Sequence, residues 1–328
     1  MRPNDFLPNT GFWKNKRVLV TGGSGFLGRH IVERLKDYGA TLITPRRTET
    51  NLSDFGATLK CFLENRPDLV FHSAAYYGGL GITLKEPGTI YFNNMLMSTN
   101  VMEAARLTQV KKFIAVGTAC SYPGHLTGAM KESDFWSGPL HDSVTAYGGV
   151  KKMMHIQAMA YKKQYGFNAI HLLPTNLYGP YDAFDAYRSH VVGALVAKFC
   201  EAHARNEDVM VWGTGAPIRE FLYVDDCADG IVLAAERYND VSPLNIGTGV
   251  GTTIRQLVED LCHTLNFKNK VIWDASKPDG QMAKTLDIAK MKATLDWVPR
   301  TGLRDGLKKT IAWYQENLLQ ASTLRQAA

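Results

Sequence analysis

The stretch VLVTGGSGFLG sets Gly22, Gly25 and Gly28 directly between a β-branched apolar run and a segment in which Leu27, Ile31 and Leu35 recur at four-residue spacing. A chain written this way passes from strand through a tight turn into a helix with no loop to spare. The first glycine permits the turn, the second lets the backbone approach a pyrophosphate, and the third lets helix and strand pack closely. The unpaired N–H groups at the helix start, on Phe26, Leu27 and Gly28, then favour negative charge.

What makes this loop specific is its place at the head of an alternating series. RVLVT, TLIT, LVFHSAA, KFIAVGT and NAIHLLP predict strands, and helices are predicted around TLKCFLEN, over Thr89 to Leu107 and over Tyr147 to Tyr165. Strands and helices in this rhythm imply right-handed crossovers and an α/β fold, a Rossmann-like doubly wound parallel sheet. After LLPTNLYGP the rhythm loosens into short strands (DVMVWG, EFLYV, LNIG, KVIW) among helices beginning near Val191, Asp225, Thr253 and Leu303. The expected organisation is an N-terminal arm (1–16), a dinucleotide-binding domain (17–174) to which later segments return, and a smaller C-terminal α/β lobe for the substrate (175–328).

Composition narrows the function. A hydrophobic content of 45% and a charged content of 21% are those of an ordinary soluble enzyme. The net charge of +6 is carried by short pairs such as Lys111-Lys112 and Lys162-Lys163, with no long basic block. A nucleic-acid partner is therefore not expected, while a small polyanionic ligand suits the same charge. No run approaches 18 apolar residues, so neither a membrane span nor a membrane partner is expected, and MRPNDFLPNTGFWKNK reads as an arm and not as a signal peptide. Cys61, Cys120, Cys200, Cys227 and Cys262 are odd in number, scattered and without a C-x-x-C pair. That argues against a disulfide framework or a metal site and for a cytoplasmic protein.

The end of the second strand selects the cofactor. An acidic residue there would hold the ribose hydroxyls of NAD, but TLITPRRTETNLSD offers Arg46 and Arg47 and no carboxylate before Glu49. Guanidinium forks suit a 2′-phosphate, which favours NADP(H); the competing reading makes both arginines solvated loop residues.

Two further stretches carry chemistry. In VTAYGGVKKMM, Tyr147 and Lys151 fall one helical turn apart on one face. This pair and the TGGSGFLG loop resemble the extended branch of the short-chain dehydrogenase/reductase superfamily. An ammonium beside the phenol is expected to favour the phenolate, and such a tyrosine exchanges a proton with a carbonyl or alcohol oxygen. In VGTACSYPG, Thr118 stands where the superfamily usually has serine, and Cys120 follows two residues later. Alternation along an extended segment would point both into one cleft. A thiol of ordinary pKa about 8.5 is a base for a C–H next to a carbonyl, and positive charge nearby makes it a better one.

The runs PTNLYGP, SHV and VWGTGAPIREFLYVDD, together with KPDG and the lysine just beyond it, resemble the GDP-L-fucose synthase family over nearly the whole chain. The resemblance implies Cys120 and His190 as a proton-transfer pair, Thr118, Tyr147 and Lys151 as the reducing set, and Asn176, Arg219 and Lys284 as contacts to a nucleotide sugar. It also implies a homodimer formed through the helices at Thr89–Leu107 and Tyr147–Tyr165. His72, His155 and His171 are left as structural residues. The segment AAYYGGLGITLKEPG departs from the pattern of that family, which leaves the sugar open between GDP-4-keto-6-deoxymannose, a heptose relative and another nucleotide-linked ketosugar. The rival readings are an epimerase that keeps NAD bound, a 4-reductase without epimerisation, and a nucleotide-sensing protein without turnover.

Overall fold

The computed structural model describes residues 9–319 except residues 186, 278 and 280. The elements in chain order are α1 (Thr10–Trp13), β1 (Arg17–Thr21), α2 (Phe26–Asp37), β2 (Thr41–Ile43), α3 (Phe55–Asn65), β3 (Leu69–His72), α4 (Leu80–Lys85), α5 (Pro87–Leu107) and β4 (Lys112–Val116). They continue with β5 (Ala129–Met130), α6 (Thr145–Tyr165), β6 (Ala169–Pro174), β7 (Asn176–Tyr178), α7 (Val191–Arg205), β8 (Val209–Trp212), β9 (Ile218–Tyr223), α8 (Val224–Arg237) and β10 (Leu244–Ile246). The last are β11 (Gly251–Thr253), α9 (Ile254–Leu265), β12 (Val271–Asp274), β13 (Ala283–Leu286), α10 (Ala289–Leu295) and α11 (Leu303–Tyr314).

Six strands form one sheet in the order β10-β6-β4-β3-β1-β2, with every neighbouring pair parallel. β3, β4 and β6 are buried along their whole length, as near-continuous apolar runs must be when helices cover both faces. α2 and α8 pack on one face, and α3, α5 and α6 on the other. The chain leaves β1 toward β2 and then returns to β3 on the opposite side, so the strand order reverses at β1 and β3. A crevice opens outside the carboxyl ends of the strands at such a point.

A second layer holds the sheet β11-β9-β13-β5, with β7 paired to β9, and the parallel pair β12-β8. Its apolar core is separate and gathers α7, α9 and α11. Glu220 ties its parts together, accepting from the N–H groups of Thr248 (2.6 Å), Gly249 (3.1 Å) and Leu286 (2.6 Å). Asn245 on β10 joins the layers by donating to the carbonyls of Met130 and Asp287.

The predicted helices and strands appear at their expected places, with small shifts. The helix expected from Thr89 starts at Pro87, a residue that suits the first turn because its missing N–H would have no partner there. Short pieces such as α1, α4, β5 and β13 carry too few residues for a periodic signal. In the N-terminal arm, Asn9 caps α1 and Trp13 is fully buried against the first core, beside Phe71; residues 1–8 lie outside the described residues.

Candidate active site

A cavity of about 990 Å³ opens at the carboxyl ends of β1, β3 and β4. Its floor is the glycine loop. Gly22 has φ +69, and a Cβ there would stand 2.8 Å from the Ala74 backbone. A Cβ on Gly28 would overlap the carbonyl oxygen of Gly22, so strand and helix meet as closely as they do only because position 28 has no side chain. No side chain caps α2, and Phe26, Leu27 and Gly28 line the cavity together with Gly22 and Gly25. The structure separates the two arginines. Arg47 lines the cavity, whereas Arg46 forms the turn before it, where its N–H bonds Glu49 and its carbonyl accepts from Glu49 and Thr50. Asn51, Leu52 and Ser53 complete this wall and had no recognisable motif in the sequence.

Thr118, Tyr147 and Lys151 converge on the opposite wall. Thr118 follows β4 and caps a 3-10 turn, Ala119–Ser121; its Oγ1 accepts from the Cys120 N–H at 3.1 Å. Tyr147 and Lys151 come from the first turns of α6. That helix rests directly on the 3-10 turn, since a Cβ on Gly148 would overlap the Cys120 carbonyl, and Ser121 donates to the Gly148 carbonyl at 2.9 Å. The lysine behaves differently from expectation. Its Nζ donates to the Val116 carbonyl at 2.9 Å and lies 5.7 Å from the centroid of the tyrosine ring. Burial lowers Lys151 to about 8, while burial and then Cys120 push the Tyr147 phenol up. In a site this dry the cost of burying a phenolate outweighs the attraction of a nearby ammonium, which leaves Tyr147 a protonated donor.

Cys120 does reach the same cavity as Thr118, though by another route than alternation. The segment is coiled into the 3-10 turn, and the turn aims the thiol. Lys284 of β13 donates to Cys120 Sγ at 3.3 Å. Burial alone would raise the thiol, but the Lys284 charge and hydrogen bonds from Thr118, Lys284 and Tyr77 reverse it, and the net direction is down. Arg219 is in register with Lys284 on the neighbouring strand β9, and its charge also acts on Cys120. His190, at the N-terminal boundary of α7, lines the cavity, and burial lowers its pKa. Asn176 begins β7 and lines the cavity while donating to the Glu220 carbonyl at 2.8 Å. In the KPDG run, Lys277 and Asp279 are placed, the latter bonded to Thr214; positions 278 and 280 lie outside the described residues.

A further cavity residue not singled out in the sequence is aromatic. Tyr77, in the segment noted as a departure, lies flat on Tyr147 with ring centroids 3.6 Å apart. The remaining residues of VGTACSYPG have structural work: Tyr122 is buried and donates to Asn245 at 2.8 Å, fastening the turn to β10. Among the other histidines, His72 bonds Thr21 and Ser98 and His155 bonds the Val241 carbonyl, while His171 is buried in an aromatic cluster with Phe135. Among the described residues no group of three His, Cys, Asp or Glu could hold a metal ion, and no helix is long and apolar enough to cross a membrane.

The chain is similar to known proteins over most of its length. A family model described as NAD dependent epimerase/dehydratase family matches residues 18–247. GDP-L-fucose synthase 1 of Arabidopsis thaliana is 37% identical over 307 residues, which span 93% of this chain and 95% of that one. Among solved structures, a GDP-6-OMe-4-keto-L-xylo-heptose reductase from C. jejuni superposes with a TM-score of 0.86 at 26% identity, covering 94% of this chain and 99% of the other. A GDP-L-fucose synthetase from Naegleria fowleri bound to NADP does so with a TM-score of 0.85 at 27% identity, covering 93% and 95%.

Proposed function

Because the chain belongs to the NAD dependent epimerase/dehydratase family, the extended branch of the short-chain dehydrogenase/reductases, we propose that it is a bifunctional 3,5-epimerase and NADPH-dependent 4-ketoreductase of a GDP-4-keto-6-deoxyhexose. The observation that carries this reading is Lys284 Nζ 3.3 Å from the sulfur of Cys120, which lines the cavity together with Thr118 and Tyr147. A plain ketoreductase has no use for a thiol sensitised in this way.

The residues present fit a dinucleotide. The uncapped N-terminus of α2, with Gly22, Gly25, Phe26, Leu27 and Gly28 around it, suits the pyrophosphate, and Arg47 suits a 2′-phosphate. Bound there, NADPH supplies the hydride for carbon 4. Arg46, which is exposed and does not line the cavity, has the lesser part. On this reading residues 17–174 mainly hold the cofactor and 175–328 mainly the nucleotide sugar, with Asn176, Arg219 and Lys284 as its contacts.

The protein's own part is proton chemistry. A C–H at carbon 3 or 5 is acidified by the ketone at carbon 4. Cys120, as thiolate, takes that proton and becomes a thiol, and the electron pair moves onto the ketone oxygen. Thr118 and Tyr147 hydroxyls stabilise the oxygen as charge develops on it, with the Lys151 ammonium adding positive field. His190 returns a proton to the carbon from the opposite face. Burial lowers its pKa, which makes the imidazolium a stronger acid but a less populated one. Later Tyr147 protonates the same oxygen when the ketone becomes an alcohol.

A heptose form of the substrate is the second reading, supported by the TM-score of 0.86 to a GDP-heptose reductase. The proposal includes a homodimer through α5 and α6, on which Tyr91, Phe92, Met153, Ile156 and Met159 are exposed apolar residues. It includes a cytoplasmic location, which suits five free thiols, and no nucleic-acid or membrane partner. The test is incubation with GDP-4-keto-6-deoxymannose and NADPH in deuterated water, read by NMR. A product inverted and deuterated at carbons 3 and 5 is expected. Reduction without deuterium would leave a simple reductase, and no oxidation of NADPH would end the proposal.

A further inference from the structure

His190 lines the cavity, yet among the described residues no hydrogen bond fixes its imidazole. Its ring has that of Tyr77 beside it, with centroids 5.8 Å apart, and Tyr77 in turn lies flat on Tyr147. Where the imidazole stands is therefore set mainly by the backbone that carries it.

That backbone is held twice over. Within its own loop, Asp185 accepts from the N–H groups of Tyr187 (3.1 Å) and Arg188 (2.9 Å), and the Ser189 N–H donates to the Asp185 carbonyl at 3.0 Å. Across the cavity mouth, the segment AAYYGGLGITLKEPG lies against the same turn. The Gly79 N–H donates to the Arg188 carbonyl at 2.7 Å. A Cβ on Gly79 would overlap the Ser189 carbonyl, and Cβ atoms on Gly78 and Gly81 would press on those of Arg188 and Tyr187. The segment is itself anchored to α5, where the buried Asn94 accepts from the Tyr76 N–H at 2.8 Å and donates to the Tyr76 carbonyl at 2.7 Å. One side chain ties the two together: Glu86, between α4 and α5, accepts from the hydroxyls of Tyr76 and Tyr187, both at 2.7 Å. Bonds from a hydroxyl to a carboxylate are charge-assisted and among the stronger ones.

Resting on the epimerase reading, we propose that Glu86 is a positioning residue for His190: by joining Tyr187 to Tyr76 it keeps residues 187–189 against the glycines, and so fixes the place of the imidazole in the cavity. Glu86 does not line the cavity, so its effect on the chemistry passes through His190. The consequence is specific. Cys120 still removes the proton when the imidazole is out of place, and its thiol exchanges with solvent. With no acid ready on the other face, that thiol returns a deuteron to the face from which the proton left. The carbon is then deuterated with its configuration retained, so exchange and inversion come apart. A smaller folded fraction would lower both together.

The test uses full-length E86A, E86Q, Y187F and the double variant E86A/Y187F, with GDP-4-keto-6-deoxymannose and NADPH in deuterated water. NMR gives the fraction of deuterated carbon 3 and carbon 5 that is inverted, and mass spectrometry gives amide hydrogen exchange over residues 78–82 and 187–194 without turnover. In E86A the inverted fraction is expected to fall about tenfold, as for an acid displaced by a fraction of an ångström to an ångström, with faster amide exchange in both stretches. E86Q, which keeps an oxygen to accept one hydroxyl, should lose about threefold. Y187F should act in the same direction, and the double variant should be no worse than E86A alone, because both remove one bond. A wild-type inverted fraction in E86A and Y187F overturns the role of Glu86. Wild-type protein that places no deuterium in the sugar overturns the functional reading, and the role of Glu86 in inversion with it; amide exchange then still reports whether Glu86 holds the loop.

Discussion

Thr118, Tyr147 and Lys151 reach the cavity from the end of one strand and the start of one helix, whereas Cys120, Tyr77, His190 and Lys284 come from four segments spread across both layers. The first group is fixed by contacts among its own neighbours: Lys151 on the Val116 carbonyl, and Gly148 against the Cys120 carbonyl. The second depends on β13 pairing with β9 and β5, and on Gly78, Gly79 and Gly81, which lie directly against the backbone of residues 187–189. On the proposed function, the site thus has an oxygen-holding half that local structure determines and a proton-moving half that only the assembled layers determine. Damage to the second layer should strike exchange before reduction.

The sharpest break in this comparison is Tyr147→Phe. It removes the group proposed to protonate the reduced oxygen, so NADPH oxidation should fall about 10³-fold, with a smaller loss in deuterium exchange. Cys120→Ser reverses the pattern: exchange at carbons 3 and 5 should fall about 10²-fold, while NADPH binding, followed by its fluorescence, is unchanged. Lys284→Met tests the pH dependence. The base works as thiolate, so exchange is present above the thiol pKa and is lost as pH falls through it. Without the ammonium the thiol pKa rises, the loss begins at higher pH, and exchange at pH 7 should drop about tenfold. The smallest effect concerns the cofactor end. Arg47→Ser should weaken NADPH about tenfold without a matching loss for NADH, and Arg46→Ser should do less, because its backbone forms the turn outside the cavity.

Much of the first half was readable before any coordinates. The loop with Gly22, Gly25 and Gly28 announces itself because a side chain at position 28 is sterically impossible, and a run like KFIAV can only be a strand covered on both faces. The thiol was also found, but by a faulty argument. Alternation along an extended strand does not hold at Cys120, where the chain has already turned into a 3-10 helix; the two side chains share a cavity because the turn rotates the second toward the first. The expected ammonium effect on Tyr147 likewise failed, since spacing along a helix says nothing about how far water is excluded from the phenol. The glycines of AAYYGGLGITLKEPG were visible as a departure, yet nothing local shows that they receive the backbone of residues 187–189.

By itself, then, the order of residues determined the alternation of strand and helix, the dinucleotide loop, and the identity of the groups able to exchange protons. These follow from short-range sterics and side-chain chemistry, which act between near neighbours. Tertiary structure decided which of two adjacent arginines meets the cavity, that a lysine 164 positions away lies against the Cys120 sulfur, and that Tyr77 stands between the two halves of the chemistry. Those are matters of distance and solvent exclusion, and both arise only when segments far apart in the chain pack together.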